Sequence, residues 1–172
     1  MRTFALGLLF ASALLVGASR EASAQQSLGL TPRVGYIFED GLGLFIGIGG
    51  RLPVGPVTFD PSVDYLFIDG GGTYLQIDGN LLYHLMLQEG GSFAPYLGAG
   101  GAFLYYDNES ASSSSFGVNG LAGVEFPGTL GFATPFVQGR FTFLPKQDGA
   151  TESSSYFSVV GGLVISLNNL GN

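Results

Sequence analysis

The chain contains no cysteine. If exported, it must therefore hold itself together without disulfides. Charge is scarce as well: Asp, Glu, Lys and Arg make up 11% of the residues, where a soluble domain carries roughly a quarter. Basic residues are the rarest class, 6 against 13 acidic, which argues against nucleic acid as a partner. Beyond the first two dozen residues no apolar run is long enough to cross a bilayer as a helix. If this protein lives in a membrane, it crosses as strands. Carboxylates are scattered and histidine occurs once, at His84, so the sequence offers no metal site and no cofactor motif. Glycine runs such as Gly70-Gly71-Gly72 precede no helix and are not phosphate loops.

What is abundant is glycine, 29 residues, and apolar side chains, 46%. The first 24 residues read as a secretory signal peptide: Arg2, an apolar segment from Phe4 to Val16, then Ala22-Ser23-Ala24. Cleavage there takes Arg2, Arg20 and Glu21 away and leaves 4 basic and 12 acidic residues, net −8, on residues 25–172. That length suits one domain.

The pattern of the mature chain is clearest from Leu28 to Val54. Even positions are apolar on both sides of the turn Glu39-Asp40-Gly41, from Leu30, Val34 and Phe38 to Leu44, Ile46, Ile48 and Leu52. Odd positions are small or polar, with Ile37 and Phe45 as large apolar exceptions. Strand side chains alternate between faces, so each segment has one apolar side. Six more such segments follow: 57–68, 73–87, 93–106, 116–126, 133–144 and 155–167, with a polar loop at 107–114 between the fifth and sixth. Their short connections require antiparallel hairpins, and an even-numbered meander can close on itself. The sequence predicts an all-β, eight-stranded, antiparallel up-and-down transmembrane β-barrel.

An internal repeat supports this. Pro32, Pro61, Pro95 and Pro135 stand in the apolar phase at the beginnings of the odd-numbered strands, and a small residue stands two before an aliphatic on each even-numbered strand. The unit is a hairpin used four times. Proline lacks a ladder donor, so its return predicts one common rim.

Alternation alone does not say which face meets water. The polar phase decides, because it holds Gly, Thr, Ser, Asn and Gln where a soluble exterior would carry many Lys and Glu. Arg33, Arg51, Asp60, Asp64, Asp78, Glu125 and Arg140 all fall in that phase, and His84 with them. No charge falls in the apolar phase. A charge facing lipid at mid-depth costs about 2–4 kcal/mol, so a bilayer would impose this distribution. These eight residues form the candidate lumen network, in which buried charges must pair. Tyr36, Phe38, Tyr65, Phe67, Phe103, Tyr105, Phe141 and Phe143 are candidates for an interfacial girdle. Connections after strands two, four and six read as short and those after five and seven as longest, which places both termini in the periplasm. Glu39, Asp40, Asp69, Asp107, Glu109, Asp148 and Glu152 then gather on the outer rim, a solvated acidic surface with Lys146 the lone base.

With its leader, its eight alternating strands and motifs such as Pro95-Tyr96-Leu97-Gly98-Ala99-Gly100-Gly101, the chain resembles the small outer-membrane β-barrel domain family of OmpA and OmpX type. The resemblance covers nearly all of residues 25–172. It implies residence in the outer membrane of a Gram-negative envelope, contact with its lipid, and insertion by the assembly machinery after escort by periplasmic chaperones. It also implies a monomer with a structural or surface role. The segment from Val160 to Leu167 resembles the family's C-terminal insertion signal, with Ile165 and Leu167 where aromatics are usual. An eight-stranded interior is just wide enough for side chains to fill, so no open channel is expected.

Two other readings use the same strands. Lipid A deacylases are barrels of this size, but their His-x-Ser arrangement is missing, because Met86 stands two residues after His84. No catalytic residue is therefore assigned. A secreted, soluble lipocalin-like barrel holding an apolar ligand would keep the alternation and reverse the faces.

Overall fold

The computed structural model describes residues 28–39, 43–67, 73–85, 92–108, 111–130, 132–146 and 153–167. The leader, the tips of several turns and the C-terminal five residues lie outside them. So do Asp40, Asp69, Glu109, Asp148 and Glu152 of the acidic rim. The eight strands are β1 Gly29–Phe38, β2 Leu44–Val54, β3 Val57–Leu66, β4 Thr73–His84, β5 Ala94–Asn108, β6 Ala111–Glu125, β7 Ala133–Leu144 and β8 Ser154–Ser166. Each pairs antiparallel with its sequence neighbours, and β8 returns to β1 to close the barrel. Closure leaves no sheet edge along the wall and gives the backbone groups partners within the sheet.

The faces are those the charges demand. Ile48 on β2, Val63 on β3 and Ile77 on β4 are direct ladder partners. All three point outward, 52%, 42% and 45% exposed. Leu44, Leu81, Leu97, Val137 and Phe157 join them in an apolar outer band. Arg33, Asp60, Asp64, Asp78 and Arg140 point inward and are buried. A soluble ligand-binding barrel would need the opposite arrangement. At the end of the barrel where β1 and β3 finish, the outer aromatics touch one another. Tyr36 meets Phe38 edge-on at 5.1 Å, Phe38 stacks on Phe157 at 6.1 Å, and Tyr65 meets Phe67 at 5.3 Å.

Two expectations need correction. The segment 107–114 is no loop: β5 runs to Asn108, β6 begins at Ala111, and the two pair without a break from Ala94↔Glu125 to Asn108↔Ala111. Alternation fails there because Ser112, Ser113 and Ser114 are all exposed. Periodicity records one buried face, and a hairpin wet on both faces needs none. The connection after strand five is thus only 109–110.

The prolines also do not share one rim. Pro95 and Pro135 lie near strand starts, but Pro32 and Pro61 are inside β1 and β3. What they share is direction. The β1·β8 ladder passes from Leu30↔Ile165 to Arg33↔Gly162, skipping Pro32, and the β2·β3 ladder passes from Gly49↔Ser62 to Leu52↔Phe59, skipping Pro61. The Pro95 and Pro135 carbonyls accept from Leu85 and Phe126, one residue past the ends of β4 and β6. Each proline therefore turns its donorless nitrogen toward the hairpin before it, while the ladder inside its own hairpin is continuous. The fourfold hairpin unit is real, and its joints are where the donors are missing.

Candidate functional site

The lumen holds the seven charged residues singled out in the sequence and His84 with them, in two groups. In the first, Arg140 on β7 reaches across the barrel to Asp64 on β3, Nη1 to Oδ2 at 2.9 Å, and to Asp78 on β4. Asp78 also accepts from Gln76 and Asn119, each at 2.9 Å. Tyr156 donates to Gln76 at 2.9 Å and Thr142 to Asn119 at 2.9 Å. Arg140 Nε faces Ser158 Oγ at 3.3 Å, and its guanidinium lies 5.4 Å from the Phe45 ring centroid. One cation thus stands between two carboxylates.

In the second group two cations meet two carboxylates. Asp60 lies 3.3 Å from Arg33 Nη2 and 3.5 Å from Arg51 Nε. Arg51 also pairs with Glu125, which meets His84 Nε2 at 3.2 Å. Arg51 donates to the Tyr96 hydroxyl at 3.2 Å, and that hydroxyl donates to Gln138 at 2.8 Å. Phe136 lies under both guanidiniums, 5.9 Å from Arg33 and 4.9 Å from Arg51. Buried ions need their partners in place, because desolvation is costly and only close, hydrogen-bonded geometry offsets it. The networks act as struts joining strands far apart in sequence.

Between the struts, large side chains pack against lumen-facing glycines. The lumen-facing glycines are where large side chains from other strands lie. A methyl at Gly98 would meet Leu121 and Leu82, at Gly123 it would meet Tyr96 and Gln138, at Gly162 Phe136, and at Gly100 Asn80. Ile37, Phe45, Leu66, Leu104, Tyr156 and Val160 form an apolar layer beside the Arg140 group, and Leu82, Tyr96 and Leu121 a second cluster. The sequence reading missed most of this packing. Its trace was the apolar residues in the polar phase, of which only Ile37 and Phe45 had been singled out.

No protein-family model and no curated protein matches the sequence. Among solved structures, Neisserial surface protein A matches with a TM-score of 0.62 at 13% identity, over 81% of this chain and 96% of that one. The chain has the eight-stranded outer-membrane β-barrel fold. The N-terminal β-barrel domain of Pseudomonas aeruginosa OprF matches it with a TM-score of 0.58 at 14% identity, over 82% of this chain and 98% of that one. The outer membrane enzyme PagL gives 0.51 at 16%, over 81% and 99%. At these identities the likeness is one of fold.

The filled lumen makes a quantitative expectation. In this barrel a Cβ at Gly49 would press on Arg33, Thr31 and the Pro61 carbonyl. Overpacking costs typically 1–3 kcal/mol. Gly49→Val is expected to destabilise by about that amount in urea titrations of the barrel folded in lipid vesicles, whereas Gly50→Ala, whose side chain points outward with nothing closer than 3.4 Å, is expected to change little.

Proposed function

We propose that this chain is a structural or surface protein of the Gram-negative outer membrane, without enzymatic activity. It acts as a monomer in contact with lipid. Residues 1–24 direct its export, and periplasmic chaperones and the outer-membrane assembly machinery deliver it. The observation that supports this reading best is the lumen: the glycines that would otherwise leave room are covered by Leu82, Leu121, Tyr96, Asn80 and Phe136. A barrel packed in this way has no aqueous path. In planar bilayers the purified protein is expected to give no discrete conductance steps, and liposomes containing it are expected not to swell in isotonic sugar. Stable conductance or rapid swelling would overturn the reading.

A second reading is a membrane-embedded lipid A-modifying hydrolase, since the same fold is found in an outer membrane enzyme, PagL. Against it, His84 meets a carboxylate and the Tyr96 ring rather than a hydroxyl nucleophile in the order nucleophile, base, acid. Mass spectra of lipid A from overexpressing cells are expected to be unchanged. New deacylated species would favour the enzyme.

A further inference from the structure

The apolar outer band runs past the strand ends into the β6–β7 turn. Phe126 follows the last residue of β6, and Leu130 and Phe132 come before β7 begins; they are 38%, 39% and 65% exposed. Between Glu125 and Arg140 the sequence has no charged residue. Three hydrogen bonds pin the turn to itself and to the start of β7. Phe126 donates to the Pro135 carbonyl at 2.8 Å, Ala133 donates to Leu130 at 3.3 Å, and the Thr129 hydroxyl donates to the Phe126 carbonyl at 2.9 Å. Pro127 has no donor to leave unpaired, and Gly128 takes the left-handed φ of +76° that lets the chain reverse so tightly. A turn made for water would carry exposed polar side chains. This one presents three large apolar residues and no charge, with its free backbone groups at a depth where headgroups and water can reach them.

We propose that the β6–β7 turn is an interfacial anchor, seated at the boundary between headgroups and acyl chains of the leaflet at the terminus end of the barrel. The occupant is lipid because the turn continues the lipid-facing surface of β6 and β7: Val124 and Phe126 lead into it and Pro135 and Val137 lead out, all in the outward phase. An exposed apolar patch of this kind marks a contact surface. Its continuity with the outer band identifies the contact. The inference rests on the membrane-barrel reading. It adds that the barrel is held at one fixed depth on its β6–β7 side.

The chain contains no tryptophan, so a single introduced indole reports without background. The full chain would be folded into phosphatidylcholine vesicles as three variants: Phe132→Trp in the turn, Val137→Trp on the outer wall, and Asp107→Trp on the exposed β5–β6 hairpin. Phe132→Trp is expected to emit between the other two. It is expected to be quenched more by lipid brominated near the headgroup than by lipid brominated deep in the chain, with Val137→Trp showing the reverse order. Two results would overturn the anchor: quenching of Phe132→Trp by aqueous acrylamide as strong as that of Asp107→Trp, or blue-shifted emission untouched by brominated lipid, which would mean burial against protein. If Val137→Trp itself escapes lipid quenching, the membrane reading falls as well, so the two failures are distinguishable.

Discussion

Arg140→Met is expected to lower stability in urea by about 3–5 kcal/mol, because it leaves Asp64 and Asp78 buried with no cation between them. Arg140 is 0% exposed. Removing it takes away the donor of two ion pairs and the contact with the Phe45 ring, while the carboxylates keep their desolvation cost. The charge argument has a second half. Replacing a whole buried ionic group by neutral residues of similar shape is often neutral or stabilising. The triple variant Arg140→Met, Asp64→Asn, Asp78→Asn is therefore expected to recover most of the loss. Equilibrium unfolding from lipid vesicles, followed by far-ultraviolet circular dichroism, gives both numbers. A single variant as stable as the parent would mean that the Arg140 strut is not formed.

Ile48→Arg is expected to cost about 2–4 kcal/mol in the same assay. Its position on the outer wall, between Val63 and the β1 partner Pro32, puts the guanidinium among acyl chains. The same change on a water-facing strand of a soluble barrel would fall within roughly ±0.5 kcal/mol. The substitution thus reads the solvent outside residue 48 directly, and moving the arginine toward a strand end should reduce the penalty, since it declines toward the interfaces.

How much of this was legible in the sequence depends on which force wrote each feature. Strand number, pairing order and the outward face were readable because a bilayer tolerates no exception: Ile48, Val63 and Ile77 must be apolar and Asp60, Asp64 and Asp78 must not be on their side. The lumen charges were readable for the same reason. Their partners were not, since Arg140 finds Asp64 and Asp78 only through barrel closure, and nothing local links residues 76 apart. Tyr96 and Phe136 were missed because a lone aromatic in a small or polar phase looks like noise until Gly123 and Gly162 are seen to make room for them. The outer end of the β5–β6 hairpin was not legible as strand because, with water on both faces, Ser112 to Ser114 carry no period. The prolines show a third case. Their recurrence was visible, but their meaning lies in which neighbour each ring nitrogen faces, and that is a property of register.

The inside-out packing of this barrel is tested most directly by methyl NMR of the protein folded in lipid with protonated acyl chains. Cross-peaks from acyl methylene protons are predicted to the methyl groups of Ile48, Val63, Ile77 and Val137, with none to Ile37, Leu82 or Val160. The reverse pattern, with lipid contacts at Ile37 and Val160 and silence at Ile48 and Val63, would contradict the account.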